Sequence, residues 1–148
     1  MTCSRSIPGS VLAAGESILP LRVRYAESDQ MGFAYYANYL IWFEVGRTDW
    51  LRQKGVTYRS LEEEGYLLPV TEAFCRYLAS ARYDDLLSIF TRATRLTRVQ
   101  LRFEYRIVHA DGRVLAEGHT EHCFLSRDGR PVRAPQAVRE LLGGLSDS

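Results

Sequence analysis

The fold of this chain is decided by residues 25–51, YAESDQMGFAYYANYLIWFEVGRTDWL, an acidic turn followed by a long helical segment. Asp29 and Gly32 lie in the turn, where glycine permits backbone angles closed to other residues. Asn38 stands where a cap residue would open the helix. Apolar side chains then recur at helical spacing and predict one buried face, made of Tyr39, Leu40, Phe43, Gly46, Trp50 and Leu51. The stretch therefore predicts a helix packed on a sheet, with a carboxylate on the loop before it.

A carboxylate just before a helix start has two interpretations. The first N–H groups of a helix are unpaired and point back toward the loop, so they can hold an oxyanion while Asp29 does the chemistry. Alternatively, Asp29 only accepts hydrogen bonds from the amides of its own turn, which is a common use of aspartate in loops. The residues alone leave both interpretations open.

Composition and charge narrow the class of protein. A length of 148 residues suits one domain with one core, and 46% hydrophobic and 25% charged residues are typical of a globular protein. A net charge of +1 gives no basis for a nucleic-acid or membrane-surface partner. The three cysteines form no paired motif, which favours a reducing compartment, and no apolar run is long enough for a membrane span. We expect a cytoplasmic protein whose residues 1–17 form a flexible tail.

The rest of the chain alternates turn signals with strand-like segments. A first strand is predicted over 18–26, the long helix ends near Lys54, and a short helix follows over 56–65. Further strands are predicted over 67–79, 86–96, 99–109 and 113–125, and a terminal helix over 135–142. This order predicts an α+β fold in which an antiparallel meander packs on one long helix. The unpaired sheet edges and the aromatic surplus predict a partner subunit.

Three blocks of the sequence resemble a known family. The run RVRYAESDQMGFAYYANYLIWFEVGRTDWLR, residues 22–52, resembles the opening of hot-dog-fold acyl-CoA thioesterases, in the group of 4-hydroxybenzoyl-CoA thioesterase and the Tol-Pal-associated acyl-CoA thioesterases. Its D-x-x-G turn falls on Asp29–Gly32 and its N-Y-L helix start on Asn38–Leu40. The blocks ARYDDLL (81–87) and AEGHTEHCFL (116–125) resemble later parts of the same family. The resemblance implies a hot-dog domain over 18–143, with an antiparallel sheet wrapped around one long central helix, that assembles as a dimer and often as a homotetramer.

The resemblance also implies a site for acyl-CoA hydrolysis. The family's acidic catalytic residue falls on Asp29, whose carboxylate either attacks the thioester carbonyl or activates a water. The backbone amide that would polarise the thioester oxygen falls on Tyr36, where the Tol-Pal-associated members usually carry His and the 4-hydroxybenzoyl-CoA enzyme carries Tyr. The same fold can also hold a thioester without cleaving it, so a non-hydrolytic binder of acyl-CoA or acyl carrier protein stays open as the alternative.

Two turns are implied in binding the coenzyme A part of the substrate. One comprises Ser80, Ala81 and Arg82, and the other comprises Thr97, Arg98 and Val99. Arginines suit this use because a guanidinium binds phosphate in a bidentate manner. Two alternatives stay open: Arg95, Arg98 and Arg102 form a solvated strand face, or Arg82 braces its turn by pairing with Asp84 or Asp85.

The remaining charged residues are interpreted as structural. Glu44 and Arg47 lie three apart on the predicted helix and are expected to form an ion pair. No metal is implied, because His109, His119 and His122 are not spaced as a ligand set and are expected at the surface or filling strands. No cofactor is expected either, since coenzyme A is part of the substrate.

Overall fold

The computed structural model describes residues 15–143 and 145. In chain order its strands and helices are β1 Ser17–Arg22, α1 Asn38–Gln53, α2 Tyr58–Glu63, β2 Tyr66–Leu67, β3 Val70–Tyr77, β4 Leu86–Leu96, β5 Gln100–His109, β6 Val114–Cys123, β7 Leu125–Ser126 and α3 Gln136–Leu141, with a 3-10 turn at Tyr25–Glu27. The predicted tail over 1–17 lies largely outside the described residues. No helix in the described ranges is long and apolar enough to cross a membrane.

Five antiparallel strands form one sheet in the order β1-β4-β5-β6-β3, and β2 pairs with β7 in a small second sheet. Helix α1 packs on the five-stranded sheet, where Phe43 stacks on Tyr105 with ring centroids 4.3 Å apart. The predicted α+β fold is therefore confirmed. The predicted meander holds for β4, β5 and β6, but β3 lies at the far edge beside β6 and β1 at the other edge beside β4.

Gly46 sets how closely α1 approaches the sheet. A Cβ at this position would lie 2.5 Å from Thr91 Oγ1 and 2.9 Å from Ile89 Cγ2, so only glycine fits without displacing β4. The core around this contact consists of large side chains of the helix and of the inward face of the sheet, among them Trp42, Phe43, Trp50, Phe103 and Ile107. Because Gly46 has no side chain, α1 can pack closely against the sheet, as is usual in protein interiors.

The predicted buried face of α1 is wrong at three positions: it includes one exposed residue and omits two buried ones. Leu40 is 38% exposed, whereas Trp42 is fully buried and Arg47 is only 8% exposed. Arg47 does not pair with Glu44, because its Nε donates to the Tyr58 hydroxyl at 3.0 Å on the side facing α2. Asn38 does not cap the helix but is its first residue, and its side chain donates to the Glu27 carbonyl at 2.9 Å.

Two predicted strands end where local backbone constraints interrupt them. The first stops at Arg22 instead of continuing to 26, since residues 25–27 form the 3-10 turn. The strand predicted over 67–79 divides into β2 and β3 around Pro69, which has no N–H for a ladder hydrogen bond. The other strands and the terminal helix agree with their predicted positions to within a few residues.

A chain of buried polar side chains runs beneath Arg47. The Tyr105 hydroxyl and Thr120 Oγ1 lie 2.6 Å apart, and Thr120 Oγ1 lies 2.8 Å from His122 Nε2. The other ring nitrogen of His122 faces the Leu68 carbonyl at 3.4 Å. Burial, together with the positive charge of Arg47, lowers the pKa of His122 to about 4. His122 is thus a neutral core residue, in agreement with its predicted strand-filling role.

Candidate active site

Asp29 closes the turn that precedes α1. Its Oδ1 accepts the N–H groups of Met31 at 2.8 Å and Phe33 at 3.1 Å, and its own N–H donates to the Phe33 carbonyl at 2.7 Å. Asp29 therefore plays the turn-forming role considered above. Among the described residues nothing donates to Oδ2, and the side chain is exposed. One carboxylate oxygen holds the turn, which leaves the other free to meet a substrate.

Tyr36 lies in the last turn before α1. Its backbone N–H has no acceptor within the described part of the chain, whereas its carbonyl accepts the Tyr39 N–H at 3.2 Å and the Tyr77 hydroxyl at 3.0 Å. The Tyr36 ring is 62% exposed and contacts the rings of Tyr35 and Tyr77. A free amide at the positive end of a 16-residue helix is suited to binding an oxyanion.

Glu27 holds the start of α1 in place, a role that the sequence did not indicate. Its carboxylate is buried and accepts the Arg24 N–H at 2.8 Å and the Trp42 indole N–H at 3.0 Å. Its carbonyl accepts the Tyr35 N–H at 2.8 Å as well as the Asn38 side chain. Burial alone would raise the pKa of Glu27, but the hydrogen bonds from Arg24 and Trp42 outweigh it and lower the pKa.

The turn containing Ser80, Ala81 and Arg82 packs against the loop of Asp29. Ala81 is fully buried, and its carbonyl accepts the Ala34 N–H at 2.9 Å while its N–H donates to the Tyr39 hydroxyl at 2.9 Å. The Arg82 guanidinium lies over the Phe33 ring, 4.5 Å from its centroid. The structure thus brings the first predicted coenzyme A turn together with the predicted catalytic loop.

The alternative of a braced turn is partly correct for Arg82. Its backbone N–H donates to Asp85 Oδ2 at 2.9 Å, but its guanidinium forms no ion pair with Asp84 or Asp85 in the described chain. Asp84 instead pairs with Arg22 at 3.6 Å. The Arg82 side chain is exposed and its charge is accessible to a ligand.

The turn of Thr97, Arg98 and Val99 lies at the other end of the sheet. The 11 residues of β4 separate it from the first turn, and at about 3.3 Å a residue this strand spans more than about 30 Å. Thr97 Oγ1 accepts the Gln100 N–H at 2.9 Å, which fixes the turn. A cleft of about 420 Å³ beside it is lined by three arginines, Arg98, Arg133 and Arg139, and, among the described residues, by no acidic one.

The other arginines named in the sequence analysis differ in their ion-pair partners and exposure. Arg102 pairs with Glu121 at 2.9 Å and with Glu104 at 3.3 Å, so it belongs to an ion-paired strand face. Arg95 is exposed on β4. Arg98, by contrast, lies in the bend between β4 and β5 and not on a strand face; it is exposed and has no acidic partner among the described residues.

One group of side chains on the outer sheet face has donor atoms close enough to consider a metal. Ligand atoms of Glu72, His119 and Glu121 lie within 4.8 Å of one another. His119 Nε2 already lies 2.7 Å from Glu72, and Arg102 places its own positive charge on Glu121. A cation would have to displace that guanidinium, so the group is better described as a salt-bridge cluster.

An antiparallel sheet packed on one long helix is the architecture that the family resemblance implies for this chain. Residues 23–142 match the thioesterase-like superfamily, which covers most of the chain. The chain therefore belongs to the thioesterase-like superfamily and is an enzyme of the thioesterase class. The hot-dog fold predicted from the sequence is thereby confirmed.

Individual relatives agree with this assignment. The chain is 36% identical over 98 residues to the acyl-CoA thioester hydrolase YbgC of Escherichia coli O157:H7, covering 66% of this chain and 73% of that protein. It superposes on a DHNA-CoA thioesterase structure from Staphylococcus aureus with a TM-score of 0.78 and 30% identity, covering 87% and 85% of the two chains. A hypothetical protein, TT1821 from Thermus thermophilus, gives a TM-score of 0.81 at 34% identity, covering 87% and 98%.

Proposed function

We propose that this chain hydrolyses acyl-CoA thioesters to free coenzyme A and a carboxylic acid, at the junction of the Asp29 loop and helix α1. The observation that carries this proposal is the unpaired Tyr36 N–H at the helix start. An amide that is fixed at a helix terminus and lacks an acceptor is available to the negative oxygen that develops on a thioester carbonyl. Relatives named as acyl-CoA thioesterases support the same substrate class.

In this mechanism Asp29 acts through the carboxylate oxygen that the turn leaves free. Either Oδ2 attacks the thioester carbon, or it takes a proton from a water that attacks. The carbonyl oxygen becomes negative in both routes and is held by the Tyr36 N–H. The C–S bond then breaks, and the coenzyme A sulfur leaves and acquires a proton. In the first route the acyl group remains on Asp29 as an anhydride, which a water hydrolyses to the carboxylic acid and the free carboxylate; in the second route the attacking water forms the acid directly. One water is consumed in either route.

The coenzyme A part of the substrate is proposed to contact both predicted turns, which lie at opposite ends of the sheet. Residues 80–82 adjoin the Asp29 loop, whereas residues 97–99 lie a full strand length away. A single ligand reaches both turns more readily if the second one comes from another copy of the chain. We therefore place the site in a homo-oligomer, a dimer or tetramer.

Edge strand β3 is the surface proposed to meet the second copy. It pairs with β6 on one side only and carries exposed apolar side chains, Val70, Phe74 and Tyr77, with Leu78 following at 52% exposure. An open edge with apolar side chains favours pairing with another strand. The same contact would also cover the exposed Tyr35 and Tyr36 rings, giving an acyl group an apolar surround.

The cleft lined by Arg98, Arg133 and Arg139 is proposed to receive the phosphates of coenzyme A. The Arg139 side chain donates to the Ala134 carbonyl at 2.9 Å, while the guanidinium groups of Arg98 and Arg133 have no partner among the described residues. Guanidinium groups without a carboxylate partner are suited to phosphate oxygens. The proposal includes a thioesterase domain over 18–143 in a cytoplasmic protein that needs no metal and no further cofactor.

The test is release of free coenzyme A thiol from a panel of thioesters with short, medium and long aliphatic, benzoyl and hydroxybenzoyl groups. Asp29→Asn preserves an oxygen that can accept the Met31 and Phe33 amides, so the turn is expected to persist. Loss of the carboxylate should lower turnover by about 10²- to 10⁴-fold. Asp111→Asn is the matched control, because Asp111 also accepts a turn amide, from Arg113 at 3.0 Å, but lies in the hairpin between β5 and β6.

Full activity of Asp29→Asn would show that Asp29 is only a turn residue. Wild-type protein that cleaves no thioester but binds acyl-CoA in calorimetry would support the binding protein of the same fold instead. The best substrate of the panel identifies the acyl group that the pocket accepts.

A further inference from the structure

The phenol of Tyr77 lies against the peptide that follows Tyr36. Its hydroxyl donates to the Tyr36 carbonyl at 3.0 Å from strand β3, 41 residues along the chain. The Tyr77 ring also packs edge-on against Tyr36, with centroids 6.3 Å apart, and against Tyr39, with centroids 5.0 Å apart. Strand β3 therefore contacts the start of α1 through both the ring and the hydroxyl of one side chain.

A second anchor holds the same segment from the other side. The Glu27 carbonyl accepts the Tyr35 N–H at 2.8 Å and the Asn38 side chain at 2.9 Å. Tyr36 lies between these two contacts and Tyr77. Neither Tyr36 nor Ala37 has an acceptor for its N–H within the described residues, so the anchors fix the backbone without consuming its donors.

We propose that Tyr77 is a positioning residue for thioester hydrolysis: by donating to the Tyr36 carbonyl, its hydroxyl fixes the backbone of Tyr36, whose own N–H is the proposed oxyanion donor. This inference rests on the proposed function and adds to it a residue of β3. Donors stabilise a transition state best when they are oriented before the reaction, since no reorganisation is then needed. The same hydrogen bond polarises the peptide that carries the Tyr36 carbonyl, and the N–H of that peptide belongs to Ala37.

The hydroxyl of Tyr77 is a donor throughout the neutral pH range. Burial, with smaller contributions from Cys75 and neighbouring tyrosines, raises the pKa of Tyr77 to about 12. The hydroxyl therefore stays protonated well above neutral pH, and its contact with the Tyr36 carbonyl contributes no pH dependence to turnover near neutrality.

Tyr77→Phe tests the inference because it keeps the ring and deletes only the hydroxyl. We expect kcat to fall about tenfold, less than the 10²- to 10³-fold typical of removing an oxyanion donor itself. KM should stay within about twofold and the melting temperature should be unchanged, because ground-state binding and ring packing are retained. Tyr25→Phe is the control: Tyr25 is 78% exposed, packs edge-on against Tyr83, and its hydroxyl makes no hydrogen bond in the described structure.

A second readout does not depend on activity. In amide-resolved NMR, Tyr77→Phe should shift the Tyr36 and Ala37 amide signals, whereas Tyr25→Phe should leave them unchanged. An unchanged kcat in Tyr77→Phe, with active wild type, would overturn the positioning role and leave the proposed function standing. Inactive wild-type protein would overturn both, and the NMR shifts would then report a purely structural anchor.

Discussion

Glu27 illustrates how one side chain supports the site without touching substrate. Its carboxylate sits beneath the start of α1, where Trp42 and Arg24 donate to it, and its carbonyl accepts the Tyr35 N–H and the Asn38 side chain. A buried carboxylate is stable only when its oxygens are paired. The geometry of the proposed oxyanion donor therefore depends on the ionised state of a residue outside the reaction.

Replacing Glu27 with Gln should make the free energy of unfolding depend less on pH in the acidic range. The pKa of Glu27 is lowered from 4.5 in the folded protein, so its stabilisation is complete above that value and is lost as pH falls through the folded pKa. We expect a lower melting temperature for Glu27→Gln at pH 7, with a difference from wild type that shrinks below about pH 4.5. Thermal unfolding between pH 3 and 7 measures it; a constant difference would contradict the prediction.

The turn formed by Asp29 was predictable from the sequence because turn chemistry is local, whereas the role expected of Tyr36 came from the family resemblance. The spacing of Asp29, Gly32 and Asn38 carries the information within ten residues. Glu27 was not predictable, since its partner Trp42 lies 15 residues away and a charged residue in an acidic turn is ordinarily solvated. Tyr77 was hidden for the same reason, as its contact with Tyr36 arises only from tertiary structure.

At the scale of secondary structure, the contact between α1 and β4 limits which residues the helix can carry. Gly46→Ala should raise helix propensity by up to about 1 kcal/mol, but overpacking typically costs about 1–3 kcal/mol. The Cβ would lie 2.5 Å from Thr91 Oγ1, so we expect net destabilisation in urea unfolding. The double variant Gly46→Ala/Thr91→Ala should recover part of the loss, because Thr91 Oγ1 is buried without a partner. If the two substitutions lower the free energy of unfolding additively, the side chains at positions 46 and 91 do not contact each other.

The polar chain beneath α1 predicts a second acid-sensitive step. The pKa of His122 falls from 6.5 in the unfolded chain to about 4 in the folded protein. Between these two pH values the unfolded chain therefore binds a proton that the folded protein does not bind. Stability should fall as pH drops through this window, by at most about 3 kcal/mol. His122→Gln should flatten this part of the pH profile in chemical unfolding, while a slope equal to that of wild type would contradict the assignment.

Element boundaries and order were predictable where they follow from local patterns. Helix α1 and strands β4, β5 and β6 are set by periodicity and by turns such as Asp111–Gly112. The placement of β3 beside β6 was not, because pairing between strands separated by more than 30 residues leaves no local pattern. Arg47 was also misassigned, since its partner Tyr58 belongs to a different helix.

For the molecule as a whole, the open edge of β3 predicts self-association. Leu78→Lys, at 52% exposure just after β3, should shift the mass in analytical ultracentrifugation toward monomer and lower thioesterase activity with it. Leu67→Lys is the control, because Leu67 is also exposed but lies in the small β2–β7 sheet. A monomeric wild type with full activity would rule out the shared site.

The length of β4 has a consequence for how this enzyme is assayed and regulated. If the loop of Asp29 and the cleft lined by Arg98, Arg133 and Arg139 bind one substrate from different copies of the chain, only the assembled oligomer is active. Specific activity should then fall on dilution as the copies separate. Adding inactive Asp29→Asn chains should restore it, whereas adding an inert protein should not. Abundance inside the cell would thus set not only how much enzyme is present but also what fraction of it works.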